Sequence, residues 1–328
     1  MSGLREEVRY LVFDIESVAD AGLIAQIRHQ GEDISPADAL AQYRKELLET
    51  KGTDFVPYTF QLPISLALAK VGEDYTLHDL KCLKVEEGGP VAICEKFWNG
   101  WMYYQKPTFV TFNGRGFDIP LMELTAFRYG IPIPEWLAWG GKQFDQPRYR
   151  FSQNFHLDLC EYMANFGSVL VTGGLNLLSK ILRKPGKMDT KGEMVQDMYD
   201  AGQLATIHDY CKCDVLDTYF VFLRTMLLTG RISAIQEKDL IEGTRNWLKE
   251  RVESEPVFAH YLQVWAERET SSNLTFSVPS KLDHGLAVPG QVKPVSSPET
   301  VEQEQVALPD YNDNENKDVP PEWSSREE

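Results

Sequence analysis

A chain of 328 residues, 43% apolar and 25% charged, is long enough to bury a sizeable core and has the composition of a globular protein. Its longest apolar runs are far short of a membrane-spanning helix and its opening residues lack the apolar core of a secretory signal, so the expected location is cytoplasmic, with no membrane partner. A formal net charge of -16 argues against a protein that coats a duplex through a broad basic face, but less against one that grips a strand end through metal ions.

Residues 8–16 read as a strand, with β-branched and aromatic side chains that are apolar on both faces until the run ends in Asp14 and Glu16. Two residues apart on a strand, those carboxylates leave the same face about 6.5–7 Å apart, a spacing that can flank a pair of divalent ions. Standing alone, the pair is better explained as two solvated acids. Residues 20–50 look helical, and 52–63 form a loop in which Pro57 and Pro63 exclude a regular helix. Strands follow at 64–71 and 75–85, split by a turn at Gly72, then an aromatic-rich helix at 91–104.

Residues 108–112 are a further strand, and 117–129 the helix after it. Between them Gly114 and Gly116 let the backbone approach a substrate, and Asn113 suits a turn or cap. Asp118 falls in the first turn of the helix, where the dipole alone also favours an acid. Arg115 can touch a phosphate from this turn or be solvated. Phe117 can stack on a terminal base or serve the core.

A loop rich in Pro, Gly and Trp covers 131–152, and an extended segment at 155–158 puts His156 and Asp158 on one face. Helices are expected near 160–166, 174–183, 192–200 and 203–229. Lys180, Arg183, Lys184, Lys187 and Lys191 are the densest basic patch in the chain and a candidate strand-guiding surface. Tyr210 and Asp214 are four apart on a helix and so share a face. Asp214 can reach a metal ion while the Tyr210 phenol, with a usual pKa of about 10, orients a water rather than deprotonating it. His208 and Asp209 invite comparison with His-Asp phosphohydrolases, but only 6 histidines are present and they are scattered.

The five cysteines, at positions 82, 94, 160, 211 and 213, show neither a disulfide framework nor a zinc spacing and read as reduced structural thiols. Helical patterning continues to about residue 267. The expected domains are thus 1–267 and an acidic, Ser/Pro-rich disordered tail at 268–328 that can serve as a docking segment for a protein partner. From 281 to 328 the chain has 4 basic and 11 acidic residues, a net of -7, which leaves -9 on the remainder. The expected fold class is α/β, a mixed sheet flanked by helices.

Asp14 and Glu16, then Asn113 with Phe117 and Asp118, then Tyr210 and Asp214 resemble, in that order, the three exonuclease motifs of the DEDDy class. This is the class of the proofreading domain of family-B DNA polymerases. The stretches at 186–199 and 207–219 are similar to the stand-alone bacterial group related to that domain, and the resemblance covers about residues 8–265. It implies a ribonuclease H-like fold and removal of nucleoside 5′-monophosphates from single-stranded DNA or RNA 3′ ends, DNA favoured. It also implies Asp14, Glu16, Asp118 and Asp214 as ligands of two Mg2+ or Mn2+ ions and Tyr210 as the water-positioning residue. Asn113, Arg115, Phe117 and Lys187 are the expected substrate contacts. Other readings are a scaffold or binding protein that keeps the nuclease fold, and a nuclease of short oligonucleotides.

Overall fold

Strand β1 (Tyr10–Ala19) lies at the middle of a five-stranded sheet and is buried along almost its whole length. The computed structural model describes residues 7–188 and 194–270; the expected tail beyond Thr270, Lys191 and the start of the helix expected at 192–200 lie outside the described residues. The other strands are β2 (Gln61–Val71), β3 (Leu77–Lys84), β4 (Thr108–Thr111) and β5 (His156–Asp158), in the order β3-β2-β1-β4-β5. Pairing of β1 with β2 and of β2 with β3 is antiparallel, and that of β1 with β4 and β4 with β5 is parallel. This is the mixed α/β sheet that the sequence leads one to expect.

Side-chain alternation along β1 sends Tyr10 and Val12 to one face and Leu11, Phe13 and Ile15 to the other. The second face is covered by α3 (Gly89–Tyr103) and α4 (Asp118–Tyr129). Phe13, Phe97 and Phe109 meet there at centroid distances of 5.0 to 5.2 Å, with Trp98, Trp101 and Trp136 packed around them. The first face is covered by the 25-residue α8 (Leu204–Leu228), which is buried along most of its length, polar residues such as His208, Lys212, Asp214 and Asp217 included, and by α9 (Ala234–Lys249) and α10 (Val257–Thr270) outside it. Asp14 and Glu16 share the parity of Tyr10 and Val12. They consequently emerge on the face against which α8 packs, and α8 is the helix that carries Tyr210 and Asp214.

The helical stretch expected at 20–50 is two helices, α1 (Ala21–Arg28) and α2 (Pro36–Lys51). Ser35 caps the second by accepting from the Asp38 N–H at 3.1 Å, with Pro36 pre-set for a first helical turn. The pair closes on its own small core of Ile24, Ala39, Tyr43, Leu47 and Val56. The helix expected at 160–166 is shorter, α5 (Leu159–Met163), because Asn165 and Phe166 take left-handed backbone conformations after it. Helices α6 (Gly174–Ile181) and α7 (Val195–Asp200) complete the elements, and all five cysteines are free. Among the described residues no helix is long and apolar enough to cross a membrane.

Candidate active site

Strand β4 pairs with β1 only from Tyr10 to Val12, so the following stretch of β1 has no strand on that side. The space is taken by the start of α4. The backbone N–H of Ile15, midway between Asp14 and Glu16, donates to Asp118 Oδ1 at 3.1 Å across 103 residues of sequence. One hydrogen bond thus fixes the second motif against the first. A bulge follows at once, where the register with β2 shifts between Glu16 and Ser17, a common device for re-aiming side chains beside a site.

On the other side α8 is pinned at the level of the acids. The Cys211 thiol donates to the Asp14 carbonyl at 3.4 Å and accepts from the Ala67 N–H at 3.3 Å, joining α8 to β1 and β2. Its Sγ lies within 4.8 Å of carboxylate oxygens of Asp14 and Glu16. Burial, followed by the charges of Asp14 and Glu16, pushes this thiol well above its ordinary pKa, and its two hydrogen bonds make it a strut between α8 and the sheet. One turn apart on α8, the Tyr210 hydroxyl and the Asp214 carboxylate lie close enough to feel each other electrostatically.

Glu16, Asp118 and Asp214 are each less than a tenth exposed. Burial first, then mutual repulsion, raises the Asp14 carboxyl well above the usual range, with Asp118, Glu16 and Asp214 the repelling charges. Glu16 is raised in the same way, by burial and then by Asp214 and Asp118. Burial lifts Asp118 to about 7 against the N–H groups that hold it, and Asp214 to about 6 against the opposing effect of the Tyr210 hydroxyl. Burial also drives the Tyr210 phenol far upward, with the Asp214 and Glu16 charges acting in the same direction, which keeps it a hydrogen-bond donor. Four clustered carboxylates, three of them buried, repel one another with Lys187 as an opposing charge, and as hard oxygen donors they form a set that fits magnesium or manganese.

The turn from Asn113 to Phe117 is held by Asp158 at the end of β5. Its carboxylate accepts from the Asn113 N–H at 2.9 Å and the Arg115 N–H at 2.8 Å, and it also caps α5 through the N–H groups of Cys160 and Glu161. Asn113 sits at φ 67°, and a Cβ at Gly114 would come within 2.5 Å of the Thr111 side chain, so glycine is required there by close approach. The Arg115 guanidinium pairs with Glu161 at 2.9 Å and donates to the His156 carbonyl at 3.0 Å. His156 and Asp158 do not pair; the imidazole meets Thr111 Oγ1 at 2.8 Å, and burial holds its pKa well below the usual value, so it is neutral.

Phe117, half-buried, lies 5.7 Å from the exposed ring of Phe55 in the loop after α2, and Asn113 is exposed beside them. Nothing in the sequence singles out Phe55. Lys187 is a positive charge felt by Asp14, Glu16 and Asp214, and its backbone N–H is fixed by Asn176 Oδ1 at 3.0 Å. Lys184, expected in the same basic patch, does not gather with it. Lys184 is buried, its Nζ 3.9 Å over the ring of Trp265 and 4.6 Å from that of Phe220, and is therefore core rather than surface. His208 is buried too, hydrogen-bonded to Ser65 and Glu86 with no second histidine in those contacts. Beside the acids, a cleft of about 340 Å³ is lined by Tyr210, Asp214, Met188, Pro256 and Val257 among others.

A family model described as a predicted 3′-5′ exonuclease related to the exonuclease domain of PolB matches residues 53–265. That span includes Asp118, Tyr210 and Asp214 and begins after Asp14 and Glu16. No curated protein matches the chain.

Proposed function

Because the chain belongs to this family of predicted 3′-5′ exonucleases related to the exonuclease domain of PolB, we propose that it is a two-metal exonuclease of single-stranded nucleic acid. It removes nucleoside 5′-monophosphates from a 3′ end, DNA ahead of RNA on the strength of that relationship. The observation that carries the reading is the Ile15 N–H bond to Asp118, which gathers acids from β1 and α4 under the Asp214 helix.

Asp14, Glu16, Asp118 and Asp214 are the residues that would hold two magnesium or manganese ions. When bound, such ions lower the pKa of water and stabilise charge on the oxygens of the reacting phosphate. Everything else is done by protein groups. Burial and the neighbouring carboxylates favour the protonated Tyr210 phenol, so its assigned role is to orient the attacking water rather than to take its proton. Asp158 and Gly114 hold the turn that aims Asp118. Phe117, backed by Phe55, offers a stacking face for the terminal base with Asn113 at its rim, and Lys187 balances the phosphate charge. Arg115, already engaged by Glu161 and His156, is assigned the positioning of the turn rather than a phosphate contact.

The test is digestion of matched DNA and RNA oligonucleotides labelled at either end, with magnesium, manganese or EDTA. The reading expects 5′-monophosphates released from the 3′ end, dependent on metal and absent in Asp14→Ala. Undiminished digestion by a folded Asp14→Ala protein, or in EDTA, would overturn it.

A further inference from the structure

The segment from 137 to 166 packs its apolar residues in an unusual way. Trp136 is fully buried, yet Phe144 and Phe151 leave 57% and 48% of their surface in solvent, and Trp139 is almost wholly exposed. Phe144, Tyr149, Phe151 and Phe166 form a continuous strip of rings with successive centroids 5.0, 5.8 and 5.4 Å apart. All three contacts are edge-to-face, which leaves ring faces open. Withdrawing a phenylalanine side chain from water is favourable, so a strip held in this way is a surface with a use.

Arginines alternate with the rings. Arg148 is fixed by both oxygens of Glu123 at 2.8 and 2.9 Å, and Arg150 by Glu161 at 3.0 Å and the Phe166 carbonyl at 3.3 Å. Both side chains are about half exposed. Glu161 is shared: its other oxygen holds Arg115, so one carboxylate serves two guanidinium groups. The same residue joins the strip to the turn from Asn113 to Phe117 that aims Asp118. Half-exposed guanidinium groups thus stand between open rings on a strip that Glu161 ties to that turn.

We propose that this strip is the track for the unpaired strand 5′ of the nucleotide being removed, with bases stacked on Phe144 and Phe151 and phosphates drawn by Arg148 and Arg150. Open rings interleaved with oriented guanidinium groups are the means by which proteins hold single strands without regard to sequence. The inference rests on the exonuclease reading for the direction of the strand, but not for its binding.

The experiment compares wild type with F144A/F151A and with R150Q, each checked by thermal melting for an intact fold. Hydrolysis is followed on a dinucleotide and on twelve-residue thymidylate and uridylate strands, and strand binding is read by anisotropy in calcium. For F144A/F151A, KM on the long strands should rise about tenfold or more, with kcat and the dinucleotide reaction unchanged. For R150Q, the salt dependence of strand binding should fall by about one phosphate contact. Unchanged long-strand KM and affinity would overturn the proposal, as would equal losses on dinucleotide and long strand. A change in self-association alone, seen by sedimentation, would overturn it in favour of a protein-docking face. If wild type cleaves nothing but its strand affinity still depends on these rings, the track stands and the exonuclease reading falls.

Discussion

The acid cluster and the aromatic strip solve opposite problems. The cluster gathers four like charges, three of them buried, and fixes two of these residues through backbone hydrogen bonds, from Ile15 to Asp118 and, by way of Cys211, at the carbonyl of Asp14. The strip leaves apolar rings in water and fixes the arginines among them through carboxylates. Each region is costly to the folded chain by itself, and each cost is relieved by a ligand of opposite character: cations in one, bases and phosphates in the other. A site that meets its ligand with unpaid desolvation is primed to bind, since the interactions missing from the free protein are the ones the ligand supplies.

The two regions should separate cleanly under mutation. Replacement of Asp14 or Asp214 by Ala has the largest expected effect, a fall in kcat of at least about 10³ from loss of metal-assisted chemistry, with strand affinity in calcium reduced far less. Oligonucleotide turnover and anisotropy measured on one preparation check both halves. Next comes Tyr210→Phe, which keeps the ring and removes the donor. It should lower kcat by about 10²-fold with KM little changed, in the range of positioned proton and water contacts, and steady-state kinetics will show it.

The third contrast is with pH. Asp214 and Asp118 have folded pKa values of about 6 and about 7 against an ordinary 3.8. The folded state therefore binds more protons than the unfolded chain between about pH 4 and 7, so stability from this cluster is present at low pH and lost as pH rises through the folded values. Metal-free protein should melt at progressively lower temperature over that window. Manganese, which competes with those protons, should raise the melting temperature strongly at pH 7.5 and little at pH 5, a pattern that calorimetry can read. A smaller effect is expected at Gly114→Ala, where the new methyl group meets Thr111: about 1–3 kcal/mol of stability lost, by denaturant unfolding, with reduced activity.

Much of the cluster was legible because its chemistry is written in local spacing. Two acids on one strand face, an acid opening a helix after a glycine turn, and a tyrosine four residues before an aspartate each follow from periodicity alone. The bond that unites the first two was not legible, since it exists only because β4 stops short and exposes the Ile15 N–H. The break between α1 and α2 was readable in principle: Ser35 and Pro36 are a cap and a first-turn proline, and Gly31, at φ 85°, lies in the connection between the helices. Lys184 was not, because nothing near it in sequence announces that Trp265 and Phe220 will enclose it. The strip was visible only as a loop rich in Pro, Gly and Trp; its rings line up through left-handed turns at Asn165 and Phe166 that periodicity does not register.

The most direct measurement is manganese binding, by calorimetry or electron paramagnetic resonance, to wild type and to Asp14→Ala alongside hydrolysis of a 3′-labelled strand. Two manganese ions per chain in wild type, with binding and hydrolysis lost together in the variant, is the predicted result. Hydrolysis that proceeds without bound metal, or manganese bound equally well after loss of Asp14, would contradict it.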